Sequence, residues 1–79
     1  MTYIYTFHSH FFATRFHMGL KGKGIGCTLM PVPRRVSSSC GTCAKVSGDF
    51  DPLSLIDDGV EQLYRVEGEQ HQLLYESEE

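Results

Sequence analysis

An α+β fold, one antiparallel sheet with helices packed on one face, is predicted for this chain by three observations. Short aromatic and β-branched runs recur along it, one segment repeats its apolar residues at helical spacing, and glycine, proline or aspartate separates the runs. Its 79 residues allow a single domain, 1–79, with one modest core.

Tyr3-Ile4-Tyr5-Thr6-Phe7 is a first strand by its aromatic and β-branched content. Ser9 is placed to cap a helix from about His10 to Lys21, in which Phe12, Ala13, Phe16 and Leu20 form one apolar face and Gly22 and Gly24 supply the end. Cys27 to Val32 is a second strand, stopped by Pro31 and Pro33. Arg34 to Gly41 is too polar and small-residue-rich for regular structure and is predicted as a loop. Cys43 to Ser47 alternates as a third strand before a turn at Gly48-Asp49. Asp51 then offers a capping carboxylate to Pro52 at the first position of a short second helix running to about Asp58. Val60 to Val66 is a fourth strand, with Leu63 inward and Tyr64 as a second inward candidate. A turn at Gly68 leads to a fifth strand over Gln70 to Tyr75, after which the last acidic residues are expected to fray. Strand, helix, strand, strand, helix, strand is the ferredoxin-like βαββαβ two-layer sandwich, here with an extra C-terminal strand. In that topology the end of strand one, the start of helix one and the end of strand two share one edge, which brings His8-Ser9-His10 toward the Cys40 loop.

Composition narrows the function. With 41% apolar and 22% charged residues and no apolar run near the roughly 20 residues of a membrane span, the sequence is that of a folded protein and predicts no membrane association. The opening Thr2-Tyr3-Ile4-Tyr5 lacks the features of a secretory signal, so a cytoplasmic setting with reduced thiols is expected. The net charge of −3 hides an asymmetry: all ten acids lie in 49–79, and six of the seven basic residues lie in 1–48. No basic stripe is concentrated enough for nucleic acid, and the acidic C-terminal part would repel phosphates. A homodimer through an exposed sheet edge is open to such a fold.

The informative segment is Pro31-Val-Pro-Arg-Arg-Val-Ser-Ser-Ser-Cys-Gly-Thr-Cys43. It sets two thiols among hydroxyls, two guanidiniums and a glycine, and no carboxylate lies within eight residues of Cys40. A thiolate is the reactive form of cysteine, and positive charge or free N–H groups favour it. Cys40 is therefore the candidate nucleophile, with Arg34, Ser37, Ser38, Ser39, Gly41 and Cys43 as its surroundings. Three chemistries suit it. Cys40 can carry a persulfide sulfur, it can pair with Cys43 as a C-x-x-C redox couple, or Cys40 and Cys43 can join His8 and His10 around zinc, an iron–sulfur cluster being a further option for the thiols. Carriage needs no cofactor; the metal reading does. Cys27, among Ile25 and Leu29, is expected in the core, and the aromatic residues are better read as core than as a stacking platform. No acid/base pair at informative spacing suggests an enzyme in its own right.

Taken together, Tyr5-Thr6-Phe7-x-Ser9 before a helix, Leu29-Met30-Pro31-Val32-Pro33-Arg34, Ser37-Ser38-Ser39-Cys40-Gly41 and Leu63-Tyr64-Arg65-Val66 resemble the small bacterial selenium/sulfur carrier-like proteins. The resemblance implies a cytoplasmic carrier with Cys40 at the family cysteine and Pro31, Pro33, Arg34, Ser37, Ser39 and Gly41 around it. It implies as partners a donor of the cysteine desulfurase or selenocysteine lyase type and an acceptor protein. Cys43 departs from the family pattern, falling where relatives carry a small or aliphatic residue.

Overall fold

The computed structural model describes residues 1–36 and 38–78. Strands β1 (Thr2–Phe7), β2 (Cys27–Pro31), β3 (Thr42–Ser47), β4 (Val60–Glu67) and β5 (Gln70–Glu76) form one sheet in the order β2-β3-β1-β4-β5, and helix α1 (His10–Gly22) follows β1. Every neighbouring pair is antiparallel. The predicted α+β class and the fifth strand are both present.

The second α-helix of the predicted sandwich is not formed; a single 3-10 turn over Pro52–Leu55 stands in its place. The start is as expected, since Asp51 accepts the Leu53 N–H at 3.1 Å ahead of Pro52. The turn stops at Ile56, whose backbone is extended at φ −67° and ψ 130°. Asp57 Oδ1 then accepts the Gly59 N–H at 2.9 Å, a side-chain turn that competes with helix and leads the chain into β4.

Ser9 stands at the N-cap of α1 in extended geometry, but its side chain makes no capping bond. Its carbonyl instead accepts the Ala13 N–H at 3.3 Å. The other end is a Schellman motif: Ile25 N–H reaches Leu20 O at 3.0 Å, Gly24 N–H reaches Lys21 O at 3.1 Å, and Gly24 takes the left-handed φ of 74° that this closure requires.

Register assigns the two faces. Tyr3, Tyr5 and Phe7 pair with Val46, Ala44, Leu63 and Val60, and meet Ala13, Phe16 and Leu20 of α1 in the core. Phe16 lies 4.7 Å from Tyr5 and 5.2 Å from Phe7 between ring centroids, within the range where aromatic pairs add to burial. Tyr64 does not join them, because neighbouring strand residues face opposite ways. It pairs with Ile4 on the far face, and its hydroxyl bonds Gln62.

That far face is also buried. Ile4, Thr6 and Cys43 point away from α1 yet are almost fully covered. Their cover comes from residues 32–36 and 38–41, here called the strap. Val32 N–H bonds Gly41 O at 3.2 Å and closes its base beside β2 and β3. From there it crosses to β4 and β5, where Arg35 donates to Glu69 O at 3.0 Å. Val36 and Cys40 of the strap are themselves buried.

Candidate functional site

The turn that carries Cys40 is built from side chains that accept backbone N–H groups two residues ahead. Ser38 Oγ accepts the Cys40 N–H at 3.2 Å, and Cys40 Sγ accepts the Thr42 N–H at 3.4 Å. Short polar side chains stabilise turns in this way, and here the sulfur takes a place that an oxygen more often fills. Cys40 itself is only 8% exposed.

Cys43 has the opposite role. It faces the covered side of β3, and its S–H donates to Pro31 O at 3.8 Å, a role that needs the protonated thiol. Burial, and secondarily the charge of Cys40, push its pKa up to about 11. Burial likewise pushes the Cys27 thiol, which packs against the core, up to about 11. All three cysteines are free.

The decisive addition is Glu61. Thr6 pairs with Gln62 and Phe7 pairs with Val60, so Glu61 is the extra residue of a β-bulge in β4. The bulge turns Val60 into the core and releases Glu61 to the strap. Its Oε1 accepts the Ser39 N–H at 2.9 Å and its Oε2 accepts the Ser39 hydroxyl at 2.5 Å. His8 Nδ1 lies 3.9 Å from Oε2, an ion pair whenever the imidazole is protonated. Desolvation alone would raise the Glu61 carboxyl, but the Ser39 bonds, His8 and Ser38 together hold it below its ordinary value. The carboxylate is 19% exposed.

The predicted meeting of the β1 end with the Cys40 loop thus occurs, through a residue that sequence spacing did not identify. His8 belongs to it; His10 is exposed at the start of α1. Among the described residues no group of three or more His, Cys, Asp or Glu side chains is arranged to hold a metal ion, so Cys40, Cys43, His8 and His10 do not converge as a ligand set. Gly41 closes the strap through its carbonyl, and Ser37 lies outside the described residues. Arg34 is not at the thiol. With Pro33, Arg35, Glu69 and His71 it lines a shallow hollow of about 310 Å³ toward the β4–β5 turn. The charge placed on the Cys40 turn is therefore the negative one of Glu61. Beyond His8 opens a cleft of about 710 Å³ lined by Phe12, Tyr75, Asp57, Asp58, Glu76 and Glu78.

No helix among the described residues is long and apolar enough to cross a membrane. The fold and the turn define a class, a small α+β protein whose strap across the sheet carries a thiol that accepts a backbone N–H. A family model described as "Putative Se/S carrier protein-like" matches residues 2–51, more than half of the chain, and the chain belongs to that family. The match takes in Cys40 and Arg34 and ends before β4 and Glu61. No curated protein and no solved structure matches the chain.

Proposed function

We propose that the protein carries sulfur or selenium in the cytoplasm as a persulfide or selenopersulfide on Cys40, between a donor of the cysteine desulfurase or selenocysteine lyase type and an acceptor protein. The observation that carries this reading is the Thr42 N–H directed at Cys40 Sγ, against the donor role of Cys43. Thiols exchange sulfur as thiolates. Of the three, Cys27 and Cys43 are pushed toward the protonated form by burial, whereas Cys40 Sγ accepts a hydrogen bond from a backbone N–H. The Cys40 thiolate attacks the terminal sulfur of a donor persulfide; the donor S–S bond breaks, its cysteine leaves as thiolate, and a new S–S bond forms on Cys40. Delivery to the acceptor repeats the step in the other direction, so no oxidant or reductant is consumed. The carboxylates of the neighbouring cleft disfavour free sulfide or selenide anions, which fits delivery from a protein-bound donor.

The test is loading. Incubated with a cysteine desulfurase and cysteine, the protein should gain one sulfur by intact mass, removable by reductant, kept by Cys43→Ala and lost in Cys40→Ala. A wild-type protein that gains nothing, from this donor or from selenocysteine with its lyase, overturns the reading.

A further inference from the structure

We propose that Glu61 is the positioning residue of the Cys40 turn, holding the thiol in place and limiting which molecules reach it. The contacts run in one line. The Glu61 carboxylate takes both the N–H and the hydroxyl of Ser39, Ser39 joins Ser38 to Cys40 in the chain, and Ser38 Oγ takes the Cys40 N–H. The bulge makes the arrangement specific, because a regular β4 would turn position 61 toward the helix side.

This inference deepens the carrier reading and rests on it for the identity of the transferred atom, while the control of access stands on geometry alone. With the turn pinned, Cys40 is nearly covered, so a small thiol-reactive molecule meets little sulfur surface. A persulfide there would be shielded from small thiols in the same way. Glu61 does not touch the reacting sulfur; it acts through Ser38 and Ser39.

Thiol-resolved alkylation tests this without any sulfur donor. Folded protein is treated with iodoacetamide, and modification at Cys27, Cys40 and Cys43 is followed separately by peptide mass spectrometry. Loss of charge-assisted hydrogen bonds of this kind should speed Cys40 modification in Glu61→Ala by about tenfold or more, with Cys27 and Cys43 unchanged. Glu61→Gln keeps one acceptor oxygen but presents its NH₂ to a donor, and Ser39→Ala loses the hydroxyl alone; both should fall between wild type and Glu61→Ala. An unchanged Cys40 rate in these variants overturns the proposal. So does an equal acceleration at all three cysteines, which would mean general loosening of the fold. Failure of sulfur loading in the wild type removes the carrier reading and leaves this result intact.

Discussion

The two faces of the sheet are covered by different means. On one, α1 lays Ala13, Phe16 and Leu20 over an aromatic row, and the fit is apolar, periodic and closed. On the other, the strap covers Ile4, Thr6 and Cys43, buries its own Val36 and Cys40, and is fastened by hydrogen bonds from Val32 to Gly41, Ser39 to Glu61 and Arg35 to Glu69. Apolar packing is non-directional and large in sum, whereas a few hydrogen bonds to a loop are directional and individually modest. Stability therefore belongs mainly to the helix face and position-sensitive chemistry to the strap face. Cys40 stands where a limited number of contacts decides its surroundings.

Truncating the helix face should give the largest effect. Leu63 is fully buried beside Tyr5, and Leu63→Ala should cost about 2–5 kcal/mol in chemical denaturation. A loss below about 1 kcal/mol, no more than a typical single hydrogen bond contributes, would break the contrast between the faces. Next comes Gly59, where a Cβ would run into the base of the Phe12 ring and its Cβ. Those atoms sit at the root of the side chain and cannot swing aside, so Gly59→Ala should cost about 1–3 kcal/mol by overpacking. Gly59 O also receives the His8 N–H at 3.1 Å, so the same change should disturb His8. A stability equal to wild type would show that Phe12 relocates freely.

The helix face was legible because its signals are periodic. Phe12, Ala13, Phe16 and Leu20 mark one side of a helix, Tyr3, Tyr5 and Phe7 one side of a strand, and Gly24 its stop. The missing second helix has a local cause: Asp51-Pro52 signals a start truthfully, but the chain is extended at Ile56 and Asp57 turns it toward β4 through the Gly59 N–H. On the strap face, Cys40 and its serines were visible as a cluster, while their anchor was not. Glu61 occupies an ordinary alternating strand in sequence, and only the bulge beside Phe7 turns it to the turn. Arg34 and Arg35 sit close to Cys40 in sequence, yet Arg35 reaches the β4–β5 turn because the strap crosses the whole sheet. Linear proximity gave the sign of the nearby charge wrongly, since the strap exchanges the arginines for a glutamate.

A smaller effect is expected from the Glu61 carboxylate as pH changes. Its folded pKa is below the ordinary value, so the unfolded chain takes up the proton first. Its stabilisation is complete above the ordinary carboxylate pKa of about 4.3 and is lost as pH falls through the depressed folded value. Glu61→Gln should therefore be slightly less stable than wild type at neutral pH, by about 1 kcal/mol, with the difference shrinking in acid. Thermal unfolding from pH 6 down to about 3 measures it, and a gap that widens in acid would reverse the assignment.

The smallest effect at neutral pH belongs to Cys43, and it sharpens the comparison between the two thiols. Burial, then the charge of Cys40, raise the Cys43 pKa to about 11 in the folded protein. The unfolded chain ionises that thiol near 8.5, so its contribution is intact below that value and is lost as pH rises toward about 11. Cys43→Ala should thus lose less stability than wild type on going from pH 8 to pH 11, with Cys27, also raised to about 11, accounting for part of the remaining loss. The Cys40 contribution carries the functional point. A negative charge on Cys40 suppresses ionisation of Cys43, and a protonated Cys43 is a poor nucleophile toward a sulfur held on Cys40. Replacing Cys40 by serine removes that charge, so Cys43 in Cys40→Ser should alkylate at a lower pH than Cys43 in the wild type. An unchanged profile would mean that burial alone protects Cys43, and that the C-x-x-C pair is electrostatically independent.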